Sequence, residues 1–111
     1  FHCALMQPAA DAMAEALSNV TMNAPKVPLV ANVVASAVTD PEVIRDLLVK
    51  QVTGTVRWRE GVLYMKEQGI SQLVELGAGK VLSGLAKRID KELSGLAVGT
   101  PADIDAFLAS L

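Results

Sequence analysis

Residues 27–34 read V-P-L-V-A-N-V-V, a short and almost wholly apolar run whose only proline stands near its start. A run of that kind is expected as one strand buried on both faces, which is how strands of a parallel sheet sit. Such a strand needs helices above and below it and neighbours along its edges, which narrows the fold to α/β architectures. The rest of the sequence supplies the alternation. Residues 8–20 form an expected helix, with Pro8 in its first turn and Ala9, Met13, Leu17 and Val20 along one apolar face. Thr39-Asp40-Pro41-Glu42 announces a second helix, capped either by Asp40 or by a Thr39–Glu42 box, with Val43, Ile44, Leu47 and Leu48 buried and Gln51 at its end.

A loop follows at residues 52–55, then a helix over residues 56–68 that stops at Gly69. Residues 71–76 are a second short strand. Gly77-Ala78-Gly79 turns the chain into a helix over residues 80–93, with Val81, Leu82, Leu85 and Ile89 inward. Residues 96–98 suit an edge strand, and residues 101–111 a last helix. The fold class is therefore α/β with a parallel sheet. Two apolar strands are few for such a sheet, and the neighbours they lack are expected in a preceding stretch of polypeptide. The chain starts at Phe1, not Met, and reads as part of a longer protein.

Charge and cysteine usage exclude several functions. The net charge is −2 over 111 residues, which offers no basic field for nucleic acid. One cysteine, Cys3, allows no internal disulfide and no multi-cysteine metal site, and it suits a reducing cytoplasm. No apolar run approaches the roughly 20 residues that span a bilayer.

Gly77-Ala78-Gly79-Lys80 lies between a strand and a helix, where phosphate loops are found, but it fits neither common template. Val74 and Val81 stand where a P-loop needs glycine and Ser or Thr, and Leu82 where the dinucleotide fingerprint needs glycine. A tight turn is the better reading. Cys3 beside His2 is expected to be a small buried thiol, since adjacent side chains point apart. Trp58 and Tyr64 are expected in the core with their polar atoms satisfied. Lys87, Arg88, Asp90, Lys91 and Glu92 are expected on a solvated helix face. His2, the one histidine, lies on a loop ahead of a helix, where a base could reach a substrate. Ser18, Ser36, Ser71, Ser83, Ser94 and Ser110 all lack the strand–elbow–helix setting of a nucleophile. On its own residues the chain is an α/β piece with one suggestive histidine.

The order of several segments carries a resemblance. F-H-C-A-L-M-Q-P-A-A at residues 1–10 comes first, then Asn23-Ala24-Pro25 with Val27-Pro28, and Asn32-Val33. Ile44-Arg45-Asp46 leads to Gln51, Val56-Arg57-Trp58 follows, and E-L-G-A-G-K-V-L-S-G-L occupies residues 75–85. In that order and spacing, over residues 1–93, the chain resembles the malonyl-CoA:acyl-carrier-protein transacylases of bacterial fatty-acid synthesis. The resemblance implies a fold with a large α/β-hydrolase-like subdomain and a small ferredoxin-like one. Residues 1–111 would be the C-terminal portion of the large subdomain, and the small one would lie upstream. It implies a cytoplasmic acyltransferase that moves malonyl from malonyl-CoA to the phosphopantetheine thiol of acyl carrier protein through a malonyl-serine. It implies no permanently bound cofactor.

The serine belongs to a G-H-S-x-G elbow, which this chain lacks. That elbow and the arginine that holds the malonyl carboxylate are expected in the N-terminal remainder, so residues 1–111 alone are expected to be inactive. Carried over by position, His2 is the general base. Gln51 supplies a backbone carbonyl that fixes the imidazole tautomer, which implies that its side chain is nearly dispensable. The resemblance further implies that Phe1 is a substrate-binding residue whose ring could favour malonyl over methylmalonyl. Thr55 and Ala78 stand where the family often has proline. The alternatives are an acyltransferase domain of a polyketide or multifunctional fatty-acid synthase, and a self-contained, non-catalytic α/β domain.

Overall fold

The computed structural model describes residues 2–111 and divides into two compact units, Phe1–Tyr64 and Met65–Leu111. The architecture is mixed α/β with one small parallel sheet.

In the first unit, a 3₁₀ turn at Ala4–Met6 leads into α1 (Gln7–Ser18), with Pro8 in its first turn. Helix α1 packs chiefly on one other helix of its unit, so Ala10 is its one buried residue. The expected stripe is largely outward: Met13 and Val20 are exposed, and Leu17 is half-buried. The apolar run at residues 27–34 also departs from expectation. Only β1 (Leu29–Ala31) is extended, and it pairs in antiparallel fashion with β2 (Ser36–Val38), a strand the sequence did not disclose. The turn between them contains no glycine or proline. Ala35 takes the left-handed conformation, at φ 51°, and its N–H donates to the Ala31 carbonyl at 2.8 Å. An alanine there costs conformational energy that the hairpin must offset.

Helix α2 (Pro41–Lys50) is capped by the Asp40 carboxylate, which accepts from the Glu42 N–H at 2.9 Å. Ile44 is its buried anchor and Val43 faces outward. From α2, Arg45 reaches back to the end of α1. Its guanidinium donates to the Leu17 carbonyl, which also accepts from the Val20 N–H at 3.2 Å, and to the Val20 carbonyl just past the helix, and it pairs with Glu42 at 3.3 Å. Helix α3 (Trp58–Glu67) carries the chain across the boundary of the two units. The Trp58 indole N–H is buried and, among the described residues, unpartnered, contrary to the expectation that it would be satisfied.

The second unit contains a strand–helix–strand motif: β3 (Gln72–Leu76), α4 (Val81–Ile89) and β4 (Ser94–Val98), the two strands parallel with Gln72 opposite Ser94 and Leu76 opposite Val98. Helix α4 lies very close to β4. A Cβ placed on Gly95 would come 2.3 Å from the Ser83 carbonyl oxygen, so only glycine admits this approach. Ala86 is fully buried there, whereas Val81 and Leu82 are exposed rather than inward. Helix α5 (Pro101–Ala109) starts with a Thr100–Asp103 capping box.

Helix α4 stops short of the expected residue 93 because Asp90 leaves the helical conformation to meet Lys66 at 2.5 Å, and Lys66 also reaches Glu92 at 3.1 Å. Asp90 and Glu92 therefore belong to a tether, not to a solvated helix face. The Lys66 hydrogen bond and the Glu92 N–H hold the Asp90 carboxyl below its ordinary range, and Asp90, then Glu92, raise Lys66.

Arg45→Met should lower the unfolding free energy by roughly 1.5–3 kcal/mol, the usual value of hydrogen bonds to a charged group, measured by urea denaturation of the full-length protein. A depressed carboxyl contributes stability that is present above its ordinary value and is lost as pH falls through the depressed one. The raised Lys66 contributes below its ordinary value and stops doing so as pH rises through the raised one. At neutral pH both contributions are present. Asp90→Asn should therefore melt below the unmodified protein at neutral pH, and the gap should close in acid. A gap that stays constant on acidification would contradict the assignment.

Candidate functional site

The one imidazole of the chain sits just ahead of the 3₁₀ turn, exposed, with His2 in the left-handed region at φ 58°. Histidine is among the few residue types enriched there, and such outliers concentrate at functional sites. The His2 Nδ1 atom lies 2.7 Å from the backbone carbonyl oxygen of Gln51. A carbonyl can only accept, so Nδ1 carries the proton, and the Nε2 lone pair of the neutral ring is left free to accept one.

The end of α2 explains why that carbonyl is available. Gln51 is the C-cap residue; its N–H donates to Leu47, and the carbonyls of Lys50 and Val49 accept from Gly54 and Val52. The Gln51 carbonyl is one of the helix's leftover acceptors, directed outward at a terminus carrying partial negative charge. Its side chain is tied as well: Gln51 Oε1 accepts from Asn32 Nδ2 at 2.9 Å. Between β1 and α2 lies a cavity of about 130 Å³, apolar except for Asn32 and Gln51. His2 and Gln51 are thus brought together across 49 positions of sequence. Phe1 lies outside the described residues.

Three other readings are corrected or sharpened. Cys3 is exposed, not buried. The hydroxyls of Ser18, Ser83 and Ser110 donate to the carbonyls of Glu15, Lys80 and Phe107, three residues back, and among the described residues Gln51 is the hydrogen-bond partner of His2. The glycine loop is a turn, with Gly77 and Gly79 at φ 123° and 87°. The start of α4 is already filled: the Glu75 carboxylate accepts from the N–H groups of Ser83 at 2.9 Å and Leu82 at 3.4 Å. An internal anion where a phosphate would sit opposes phosphate binding. The role of Glu75 and the anchoring of Gln51 by Asn32 were not among the expectations from the residues. An acidic residue just before a glycine turn was the available signal for the first. A pairing between a hairpin turn and a helix end leaves none for the second. Among the described residues no group of three or more His, Cys, Asp or Glu could hold a metal, and no helix is long and apolar enough to cross a membrane.

The chain is thus a mixed α/β segment that presents an imidazole locked by a helix-end carbonyl. No protein-family model matches it. It is 48% identical over 107 residues to the malonyl CoA-acyl carrier protein transacylase of Escherichia coli K12, covering 96% of this chain and 35% of that protein. It is 34% identical over its whole length to the transacylase of the same name from Bacillus subtilis 168. A crystal structure of an acyl-carrier-protein-S-malonyltransferase from Bartonella henselae superposes with a TM-score of 0.91 at 54% identity, over 99% of this chain and 35% of that one. A malonyl-transacylase solved in complex with a type II PKS acyl-carrier protein gives 0.87 at 44% identity, over 99% and 36%. The chain is homologous to the malonyl-CoA–acyl carrier protein transacylases, and it spans about a third of the length of the relatives it matches.

Proposed function

We propose that the protein containing this segment transfers malonyl from malonyl-CoA to the phosphopantetheine thiol of acyl carrier protein, in the cytoplasm and without a resident cofactor. The segment would complete the large, hydrolase-like subdomain, with residues 1–111 as its C-terminal portion. The observation that carries the reading is the 2.7 Å contact between His2 Nδ1 and the Gln51 carbonyl, in a chain homologous to transacylases throughout its length.

The chemistry runs in two halves. His2 Nε2 takes the proton of a serine hydroxyl supplied by the remainder of the protein as the serine oxygen attacks the malonyl thioester carbon. The tetrahedral adduct collapses, the carbon–sulfur bond breaks, and the departing coenzyme A sulfur takes the proton from the imidazolium. In the second half His2 accepts the proton of the carrier thiol, that sulfur attacks the malonyl-serine, and the serine oxygen leaves with the proton. The Gln51 carbonyl holds the ring in the productive tautomer and, at the negative end of α2, favours the transient imidazolium by about 0.3–1 kcal/mol. Phe1 is assigned to the acyl pocket, where a ring would occupy the space of an α-methyl group; such discrimination is worth about 1–3 kcal/mol.

In the full-length protein His2→Ala should lower kcat by about 10²–10⁴-fold while KM changes little, because the base is removed and the acyl-binding groups are not. Turnover per folded site, measured beside the melting temperature, checks this. A variant that melts lower yet transfers malonyl at a normal rate would make His2 a structural residue.

A further inference from the structure

The geometry points to Asn32 as a positioning residue for His2, acting through the side chain of Gln51; the inference rests on the general-base reading of His2. Asn32 touches no reacting group. It stands at the start of the hairpin turn that follows β1, half-buried, and its side-chain amide donates to Gln51 Oε1 at 2.9 Å. Its backbone is held from another direction, since the Asn32 carbonyl accepts from the Arg57 N–H at 2.9 Å. The turn itself is closed by the Ala35 N–H on the Ala31 carbonyl at 2.8 Å. Asn32 is therefore a fixed point, gripped by main-chain bonds, from which one side-chain bond reaches the C-cap of α2.

That bond matters because of where Gln51 is. A helix end frays more readily than its middle, and a C-cap residue is free to swing its peptide plane. The Gln51 carbonyl must keep one direction to hold Nδ1–H at 2.7 Å. Pinning Oε1 to Asn32 immobilises the residue from its side-chain end while its N–H, bonded to Leu47, holds it from the helix end. The Gln51 side chain is thus not dispensable: it is the link between the hairpin and the base. A small misorientation of a catalytic group is felt in the chemical step more than in binding.

The test is steady-state kinetics on the full-length protein with malonyl-CoA and acyl carrier protein. Asn32→Ala should lower kcat about three- to tenfold, the value of one hydrogen bond, with KM within about twofold. Gln51→Met removes the same acceptor from the other side while keeping the backbone carbonyl. It should give the same loss, and the double variant should be no worse than either single one. In a His2→Ala background Asn32→Ala should leave the residual turnover unchanged, which a general weakening of the fold would not do. If Asn32→Ala fails to fold, Gln51→Met alone carries the test, in both backgrounds. Additive losses, a loss that persists without His2, or an unchanged kcat in a folded variant would overturn the inference while leaving His2 as the base. A His2→Ala protein with normal turnover would overturn both.

Discussion

Arg45 fixes how the first unit is arranged. It projects from α2 and donates to the carbonyls of Leu17, in the last turn of α1, and of Val20, just past it, so one guanidinium ties the end of α1 to a second helix. The consequence is felt at the other ends of the same helices. His2 precedes α1 and Gln51 closes α2, and their contact requires the two helices to keep a fixed relation. The apolar contribution to this pairing is slight, since Ala10 and Ile44 are the buried residues of the two helices. Where few large side chains are buried, a directional charge-assisted bond determines the geometry more than packing does.

A backbone carbonyl as the partner of His2 has physical consequences that a carboxylate would not have. It cannot donate, so it admits a single tautomer of the neutral ring. It bears no full charge, so the partner of the imidazole adds no ionised group to be desolvated if the site is covered. It also cannot be altered by exchanging one side chain for another; only the backbone of Gln51 and whatever orients it are available to change. Control of the imidazole therefore passes to Asn32 and to the hairpin turn that holds Asn32 in place.

The sequence was readable where a residue has one local reason to be where it is. Pro8, Asp40 and Gly69 mark element ends by capping or by left-handed backbone, and each stands at or beside the end it was expected to mark. It was unreadable where tertiary contacts decide. Residues 27–34 look like one buried strand because the run is almost wholly apolar and rich in valine, yet the turn is made at Ala35 against its own preference. Helix α4 was expected to run further because nothing in the residues after Ile89 breaks a helix; the bond to Lys66, far away in sequence, ends it. The exposed Met13, Val20, Val81 and Leu82 show a periodic apolar face without an element of their own unit to cover it. For the candidate site, the sequence placed Gln51 at a helix end and His2 ahead of a helix; the 2.7 Å between them is a tertiary fact.

Two helix ends illustrate how the chain uses unsatisfied backbone groups. At the N-terminus of α4 the free N–H groups of Leu82 and Ser83 meet the carboxylate of Glu75 from the preceding strand. The positive end of that helix is neutralised internally, and the glycine loop before it is relieved of any need for an external anion. At the C-terminus of α2 the reverse holds: among the described residues the Gln51 carbonyl meets no cation and is given to the His2 N–H instead. The first arrangement closes a site that the residues Gly77 to Lys80 superficially advertise. The second opens one, because an exposed imidazole held at Nδ1 has its other nitrogen without a hydrogen-bond partner among the described residues. The same leftover groups that every helix must satisfy thus decide, by what they are paired with, which of the two suggestive motifs has chemistry to offer.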